Sequence, residues 1–424
     1  MAHAIPFLTR AAFRAVAVIF VAAPLLAEDW PQYRGIHRDG VTTEKIATTF
    51  PTTRPREVWQ AQVGRGHAAV SIADGRAITI GYSGKANPLK NDPTNRDTVF
   101  CFDAATGKEL WRFDYAAVGR LKDEPGNGGY DGPHATPLIL KDRVYTLSRT
   151  GKVHCLDAAQ GTLLWERDLG ADDGAKLPEC GFAGSPLALD DSIIVSVGAA
   201  GTALDAATGK TRWKSSPEIA GYAAPTLVTD TNGVRRLLFF GYKELSAVDP
   251  ADGKQLWSFP WPTKWGANAT DPVAIGDSIF ITAAYTRGCA LVDLATGQPR
   301  YQSKIMASHC CPPIFRDGAY YGFSGYMNDE PENNSLACID PIKGTEFWRQ
   351  TGMCGQIMLA DDNLVILLTT GDLVVARATA KAYEELGRTH ILDHDECPVP
   401  PVLANSRLYL RTAKGLLRCL DVSP

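Results

Sequence analysis

Residues His309, Cys310 and Cys311 form the most suggestive chemical group in the sequence. Adjacent Cα atoms lie about 3.8 Å apart across a trans peptide, which is below the usual span of a disulfide. A bridge between Cys310 and Cys311 would therefore be strained and readily reduced. The pair could form this bridge, remain as two ordinary thiols, or pair separately with Cys354 or Cys180.

Other residues suggest metal or sugar chemistry. His134 and His309 could bind a metal ion together with cysteine, but neither has a closely spaced partner. Spacing alone therefore predicts no metal site. The aromatic residues Tyr222, Trp261 and Trp265 could instead bind a sugar or a polymer chain.

An internal repeat in the sequence indicates the structural elements that position these residues. An aspartate recurs every 44 to 54 residues, with a glycine four residues later and an aromatic residue eight residues later. The aspartates are Asp103, Asp157, Asp205, Asp249, Asp293 and Asp340, and the aromatic residues are Trp111, Trp165, Trp213, Trp257, Tyr301 and Trp348. Six copies that share three fixed positions indicate a repeated structural unit.

Each repeat contains four short β-rich runs bounded by turn residues, which predict strands A to D of an antiparallel sheet. Four strands in a period of this length are typical of a propeller blade. A seventh unit, at 358–377, keeps the strand pattern but has lost the motif, with Glu385 at the aromatic position. The only helical candidate is around 378–386.

The last unit ends at Asp421 with three strands, and the missing strand is predicted at residues 56–64, which contain Trp59. A closed ring removes the open sheet edge. The sequence therefore predicts an all-β fold, an eight-bladed β-propeller of four-stranded antiparallel blades over residues 56–424. Residues 28–55 are predicted to form an N-terminal extension.

The repeated motif is interpreted as structural. The aspartate and glycine suit the turn between strands C and D, because Asx side chains hydrogen-bond the following backbone and glycine adopts positive φ. The aromatic residue then lies on the outer strand, where its ring can pack against the next blade. We assign this docking role to Trp59 and to the six aromatic residues of the motif.

The repeat resembles the pyrroloquinoline-quinone-type repeat family, whose eight-bladed propellers include quinoprotein alcohol dehydrogenases and an outer-membrane assembly scaffold. The resemblance implies two functions: a scaffold that binds proteins, or a quinone-dependent dehydrogenase. In the dehydrogenases a vicinal cysteine pair covers the quinone, which would place Cys310 and Cys311 over the ring. Their calcium needs a carboxylate and an amide, for which Glu179 and Asn268 are candidates, and Asp131 or Asp271 would be the catalytic aspartate.

Loop lengths indicate which face of the propeller binds ligands or partners. The A–B and C–D turns are uniformly short, whereas the B–C and D–A loops carry the insertions. The candidate binding face therefore comprises Asp131, His134, Glu179, Tyr222, Trp265, Asn268, His309, Cys310 and Cys311. We expect protein partners there, with the quinone and calcium as the cofactors of the dehydrogenase alternative and a carbohydrate as a second alternative ligand.

Composition and the first residues indicate an exported protein. The chain has 424 residues, a net charge of −4 and no Lys/Arg cluster, which makes nucleic acid an unexpected partner. Arg10 and Arg14 precede an apolar run with small residues at its end, the pattern of a signal peptide over residues 1–27. An uncleaved anchor is the alternative. We expect a monomeric propeller, periplasmic or secreted, without a transmembrane domain in the mature chain.

Overall fold

Eight antiparallel sheets make up the chain, arranged as the blades of a propeller. The structure is a computed structural model that describes Met1 and residues 28–49, 55–83, 94–117, 132–326, 333–393 and 399–423. Apart from Met1, the expected signal peptide lies outside these residues. The all-β, eight-bladed prediction is confirmed, and each blade has the four expected strands A to D.

Blades 1 to 4 occupy the first half of the ring. Their strands, from A to D in each blade, are β3 Ser71–Ala73, β4 Arg76–Tyr82, β5 Arg96–Asp103 and β6 Glu109–Ala116; β7 Leu138–Leu140, β8 Arg143–Leu147, β9 Lys152–Asp157 and β10 Leu163–Asp168; β11 Leu187–Leu189, β12 Ser192–Val195, β13 Thr202–Asp205 and β14 Thr211–Lys214; and β15 Thr226–Thr229, β16 Arg235–Phe240, β17 Glu244–Val248 and β18 Gln255–Pro260.

Blades 5 to 8 complete the ring. Their strands, in the same order, are β19 Val273–Ile275, β20 Ser278–Ala283, β21 Gly288–Asp293 and β22 Pro299–Ser303; β23 Ile314–Arg316, β24 Ala319–Ser324, β25 Ser335–Asp340 and β26 Thr345–Thr351; β27 Gly355–Ala360, β28 Asn363–Leu368, β29 Asp372–Arg377 and β30 Glu385–His390; and β31 Val402–Ala404, β32 Arg407–Arg411, β33 Leu416–Asp421 and β2 Arg56–Gln62.

The ring closes through the N-terminal strand, as predicted. Strand β2 pairs antiparallel with β33, and Trp59 lies opposite Cys419. The first and last parts of the propeller thus share one sheet, in which β33 is paired on both sides. A further strand, β1 at Val41–Thr42, lies outside this plan and pairs parallel with β27 of blade 7.

Turn chemistry fits the tight A–B connections. Lys141, Asp190 and Asp361 begin three of these turns and adopt φ values of 54°, 51° and 53°. Positive φ at the first turn residue suits the two-residue hairpin turns that follow the twist of antiparallel strands. The middle strands are buried along their length, whereas the outer strands alternate between exposed and buried positions.

Each outer-strand aromatic residue donates a hydrogen bond to the next blade. The acceptor is the carbonyl of the residue that follows the motif aspartate there, except for Trp348, which reaches Thr379 in blade 7. The bonds are Trp59 to Ala104, Trp111 to Ala158, Trp165 to Ala206, Trp213 to Pro250, Trp257 to Leu294, Tyr301 to Pro341 and Trp348 to Thr379, at 2.6–3.1 Å. We propose that these bonds dock the blades.

The motif glycine has a second role besides its positive φ. Gly253 has a φ of 72°, and a Cβ atom built on it would lie 2.5 Å from the ring of Trp213 in the preceding blade. Gly107, Gly161, Gly209 and Gly297 are equally close to the preceding tryptophan. The ring of one blade therefore lies flat against the glycine turn of the next.

Blade 7 differs from the expectation in two respects. The segment 378–384 forms no helix; it connects β29 to β30 with a turn two residues longer than in the other blades. As a result Gly387, and not Glu385, lies opposite Val375 at the position that tryptophan occupies elsewhere. Among the described residues, the one α-helix is α1, Leu169–Asp173, and no helix has the length and apolar character needed to cross a membrane.

Candidate functional site

Residues 28–49 of the extension lie against the innermost strands around the ring. Trp30 and Ile72 of blade 1 exchange backbone hydrogen bonds of 2.8 Å, and the carbonyl of Pro31 accepts one from Ile139 of blade 2. Trp30 is buried, with 3% of its surface exposed. The extension is therefore packed into the propeller, a feature that the repeat pattern did not reveal.

Two arginines, the buried Arg34 and the half-buried Arg38, anchor the middle of the extension. Arg34 donates to the carbonyls of Pro312 and Pro313 in blade 6, at 2.9 and 3.1 Å. Arg38 donates to the carbonyl of Pro186 in blade 3, at 3.0 Å. These bonds satisfy guanidinium donors that would otherwise be costly to bury.

The end of the extension continues to blades 7 and 8. Strand β1 pairs with β27, and the carboxylate of Glu44 accepts hydrogen bonds of 2.7 Å from the backbone N–H groups of Asn405 and Ser406. Asn405 and Ser406 form the A–B turn of blade 8. The extension therefore lies along the central channel and contacts blades 1, 2, 3, 6, 7 and 8.

A cavity of about 450 Å³, the axial pocket, lies on the propeller axis above the extension. This volume is in the range of small-molecule sites. Residues that enter strand A of each blade line it, and Tyr33 of the extension contributes to the lining. The lining residues used below are Tyr33, His67, His134, Glu179, Cys180, Tyr222, Trp265, Asp271, Tyr285, His309, Cys310, Tyr326 and Gln356.

Six of the nine sequence candidates meet in this pocket, two described ones lie elsewhere, and one lies outside the described residues. The lining includes His134, Glu179, Tyr222, Trp265, His309 and Cys310. Asn268 is fully buried, and its side-chain N–H₂ donates to the carbonyls of Gly241 and Trp261 at 2.8 and 3.1 Å. Cys311 is buried in the apolar core with Ile314 and Ile357, and Asp131 lies outside the described residues.

Trp261 is also excluded from the pocket surface. It is fully buried, packs against Phe259, and has the guanidinium of Arg287 3.5 Å from its ring centroid. Its suggested role in sugar binding is therefore wrong. Trp265, by contrast, is 52% exposed and holds a φ of 63°, which is unusual for a bulky residue.

Burial keeps two of the pocket histidines, His134 and His309, neutral. Burial, followed by the nearby His67, lowers the pKa of His134 well below its usual value, and burial lowers the pKa of His309 to about 4. The rings of His67 and His134 are 5.1 Å apart, and those of His309 and Tyr326 are 4.5 Å apart. Uncharged imidazoles can both donate and accept hydrogen bonds.

Asp271 is the buried carboxyl group of the pocket. Its Oδ1 accepts a hydrogen bond of 2.8 Å from the backbone N–H of Ala224. Burial raises its pKa, while the guanidinium groups of Arg38 and Arg34 oppose this rise. The extension thus supplies the counter-charges for Asp271.

These residues do not fit the calcium–quinone arrangement. The amide of Asn268 is bonded to backbone carbonyls away from the pocket, and Asp271 already faces two arginines. Cys310 lines the pocket but Cys311 lies in the core, so the pair does not present both sulfurs to one ligand. Among the described residues, no three His, Cys, Asp or Glu side chains are grouped to hold a metal ion.

Several pocket residues were missed by sequence reasoning. Tyr33 belongs to the extension, which has no repeat, and Tyr285 and Tyr326 lie in B–C loops. Gln356 begins blade 7, where the motif is lost. The two tyrosines could have been predicted from their position in B–C loops, because the length of those loops indicates the binding face.

Fold and repeat together define the class of protein as the β-propellers built from quinone-type repeats. A family model described as "Outer membrane protein assembly factor BamB" (PQQ_2) matches residues 95–350. Because this match covers more than half of the chain, the chain belongs to that family.

Individual relatives of two kinds are similar to the chain. The assembly factor BamB of Moranella endobia is 26% identical over 308 residues, which are 70% of this chain and 77% of the relative. A quinohemoprotein alcohol dehydrogenase of Pseudomonas putida is 31% identical over 123 residues, 27% of this chain and 17% of the relative. The solved quinohemoprotein alcohol dehydrogenase of Comamonas testosteroni shares the fold, with a TM-score of 0.65, 15% identity, and coverage of 93% of this chain and 81% of that chain.

Proposed function

We propose that the chain is an exported scaffold that binds protein partners in the assembly of a cell envelope. The observation that carries the proposal is the family match, because the similarity to a BamB protein extends over 77% of that relative. The similarity to a dehydrogenase extends over 17% of that enzyme. The misfit of the pocket to calcium and quinone further favours a scaffold over an enzyme.

The face formed by the D–A loops has the properties of a preformed binding surface. The loop between β10 and β11 contains α1, whose N-cap Asp168 accepts a bond from the N–H of Ala171. The loop is connected to its neighbour at Lys176, whose backbone N–H donates a hydrogen bond of 2.8 Å to the carbonyl of Pro217 and whose ammonium lies 2.7 Å from the carboxylate of Glu218. A loop held in this way loses little freedom when a partner binds.

Apolar residues are exposed within this ordered surface. Leu177 is 41% exposed beside the Lys176–Glu218 ion pair, and Trp265 projects from the D–A loop that enters blade 5. Exposed apolar residues within a polar surround are typical of protein interfaces. We infer that protein partners bind this face. We also propose that residues 1–27 are a signal peptide that directs the protein to the periplasm or to secretion, and that the propeller acts as a monomer and does not bind nucleic acid.

Site-specific crosslinking tests the proposal. A photoreactive amino acid at Leu177 is expected to form adducts with outer-membrane assembly proteins in the cells that make this chain. The matched control is the same amino acid at Lys141, an exposed residue of an A–B turn on the opposite face. Equal adducts from both positions, or none with assembly proteins, would contradict the proposal.

A second experiment addresses the dehydrogenase alternative. Purified protein is mixed with pyrroloquinoline quinone and calcium, then desalted, and the absorbance of the quinone is measured. We expect no retained quinone. Stoichiometric retention would overturn the scaffold proposal in favour of a quinoprotein.

A further inference from the structure

The axial pocket combines aromatic surfaces with imidazole and amide groups and with two carboxyl groups. Tyr222, Trp265, Tyr285 and Tyr326 line it on one side, and Tyr33 contributes from the extension. The polar lining includes two histidines that burial keeps neutral and the amide of Gln356. Of these residues, Trp265 also belongs to the protein-binding surface described above, whereas the others belong to the pocket alone.

Charge in the pocket argues against an anionic ligand. Among the described residues that line the pocket there is no lysine or arginine, whereas Glu179 and Asp271 are both present. Pyrroloquinoline quinone carries three carboxyl groups and would meet these two acidic side chains in the lining. Arg34 and Arg38 lie behind Asp271, where their donors are bound to backbone carbonyls.

The two carboxyl groups differ in how far they could serve a cation, because Asp271 is already engaged within the protein. Asp271 is shared with two guanidinium groups and already accepts a bond from Ala224, so it is not available as a full counter-charge. A neutral ligand avoids the cost of burying an unpaired charge. The pocket is therefore suited to a neutral molecule with both apolar and hydrogen-bonding surfaces.

The geometry of Trp265 favours a ring. Its backbone holds a φ of 63° within the turn Lys264–Gly266, and the ring remains half exposed at the pocket. Residues held in sparsely populated conformations are concentrated at ligand-binding positions. The negative face of an indole attracts the weakly positive C–H groups on one side of a sugar ring.

His309, which lines the pocket, carries a buried polar atom. Within the described structure, the Nδ1 atom of His309 is buried and has no hydrogen-bond partner. Such an atom costs free energy unless a ligand or water satisfies it. A hydroxyl group can donate to or accept from either form of the imidazole.

From these observations we propose that the axial pocket binds a neutral carbohydrate ring, one or two sugar units in size. The ring lies against Trp265, and its hydroxyl groups bond His309 and the neighbouring neutral polar residues. The volume of about 450 Å³ accommodates a ligand of this size. Tyr33 makes the extension part of the site.

Calorimetry with defined probes tests the proposal on the full chain. Maltose, cellobiose and N,N′-diacetylchitobiose are titrated, with sorbitol as an acyclic polyol, benzamide as a neutral aromatic, and pyrroloquinoline quinone with calcium. We expect at least one disaccharide to bind in a 1:1 ratio and at least about tenfold more tightly than sorbitol and benzamide. If no disaccharide binds at concentrations of about 10 mM, or if benzamide or the quinone binds more tightly, the proposal is wrong.

Variants then locate the binding. Trp265→Ala and His309→Gln are each expected to weaken disaccharide binding at least about tenfold, the loss expected for one desolvated contact. Phe347→Ala, an exposed outer-strand residue, and His37→Gln, an exposed residue of the extension, serve as controls and should bind as the parent does. Thermal unfolding verifies that each variant is folded. Unchanged binding by both pocket variants would place the sugar elsewhere and refute the assignment.

Discussion

The indole N–H of Trp59 donates a hydrogen bond of 3.0 Å to the carbonyl oxygen of Ala104, and this bond joins blade 8 to blade 1. Trp59 lies on the N-terminal strand that completes blade 8, so the bond also connects the two ends of the propeller. The same donor and acceptor positions recur at five further junctions, and Trp348 makes the corresponding bond to Thr379, so the docking proposal can be tested at any one of them.

Trp213→Ala is expected to lower the free energy of unfolding by about 3–5 kcal/mol, because it leaves a cavity between blades 3 and 4 and frees the carbonyl of Pro250. Trp213→Phe should cost less, about 1–2 kcal/mol, since it keeps much of the packing and loses the N–H. Urea unfolding measures both. Phe347→Ala is the control, and the docking proposal fails if it is as destabilising as Trp213→Ala.

The glycine that contacts each ring can be tested with a closely matched pair. Gly253 and Gly75 both have a φ of 72°, but a Cβ atom at Gly253 would meet the ring of Trp213 at 2.5 Å and one at Gly75 would meet nothing within 4 Å. Gly75→Ala should therefore cost only the left-handed backbone, about 1–2 kcal/mol.

Gly253→Ala should cost this amount plus the displacement of the indole, about 1–3 kcal/mol more by urea unfolding. The double variant Gly253→Ala, Trp213→Ala isolates the second contribution, because removal of the ring leaves the Cβ atom room. Equal losses from Gly75→Ala and Gly253→Ala would show that the ring contact contributes nothing.

The fold could be predicted because its determinants are local and repeated. Asp205, Gly209 and Trp213 specify a turn, a contact and a strand position within nine residues, and five other copies repeat the pattern. Blade 7 shows the limit of this reasoning. Because the motif is absent there, the sequence does not reveal that the turn before β30 is longer. The repeat alignment therefore places Glu385 at the tryptophan position of the outer strand, which Gly387 occupies in the structure.

The candidate site could be predicted only in part, because its interior depends on contacts between distant residues. Arg34 bonds Pro312 across 278 residues, and no periodic pattern encodes that contact. Likewise, sequence position predicts that Asn268 and Cys311 lie near the axis, but it does not predict where their side chains point. The amide of Asn268 is bonded to backbone carbonyls, and the side chain of Cys311 lies in the apolar core. Position along a strand predicts nearness to a site; side-chain direction depends on the surrounding packing.

The anchoring of the extension leads to a third prediction. Arg34→Ala removes hydrogen bonds to Pro312 and Pro313 and leaves a buried space, so stability should fall by about 2–4 kcal/mol. Hydrogen exchange of residues 28–49 should accelerate, because their backbone bonds to blades 1, 2 and 7 would open together.

Arg235→Ala is the control for this variant. It removes a surface ion pair with Asp190, and exposed pairs of this kind contribute little. We expect neither a change in stability nor faster exchange in the extension. Normal exchange of residues 28–49 in Arg34→Ala would mean that the arginine does not hold the segment in the channel.

A buried carboxyl group in blade 1 gives a prediction for pH. Asp97 is 4% exposed on β5, and burial raises its pKa to about 7, against the opposing effects of the Tyr115 hydroxyl and Arg149. In the unfolded chain the same group loses its proton near a pKa of about 3.9. Between these two values the folded state binds more protons, so this group makes stability fall as pH rises from about 4 to about 7.

Asp97→Asn removes that titration. Relative to the parent, the variant should therefore gain stability steadily over this pH range, by at most about 4 kcal/mol, and show no further relative change above about pH 7.5. Other groups, among them His154 with a pKa lowered to about 4, titrate in both proteins and cancel in the difference. Urea midpoints measured from pH 4 to pH 8 provide the comparison.

Asp205→Asn is the control with the opposite sign. Arg212 and Thr208 lower the pKa of Asp205 to about 2, so its contribution is fully present above about pH 4 and is lost only as pH falls further. The difference between this variant and the parent should stay constant from pH 4 to pH 8. If Asp97→Asn also gives a constant difference over that range, then Asp97 does not titrate near neutrality and its burial does not disfavour the charged form.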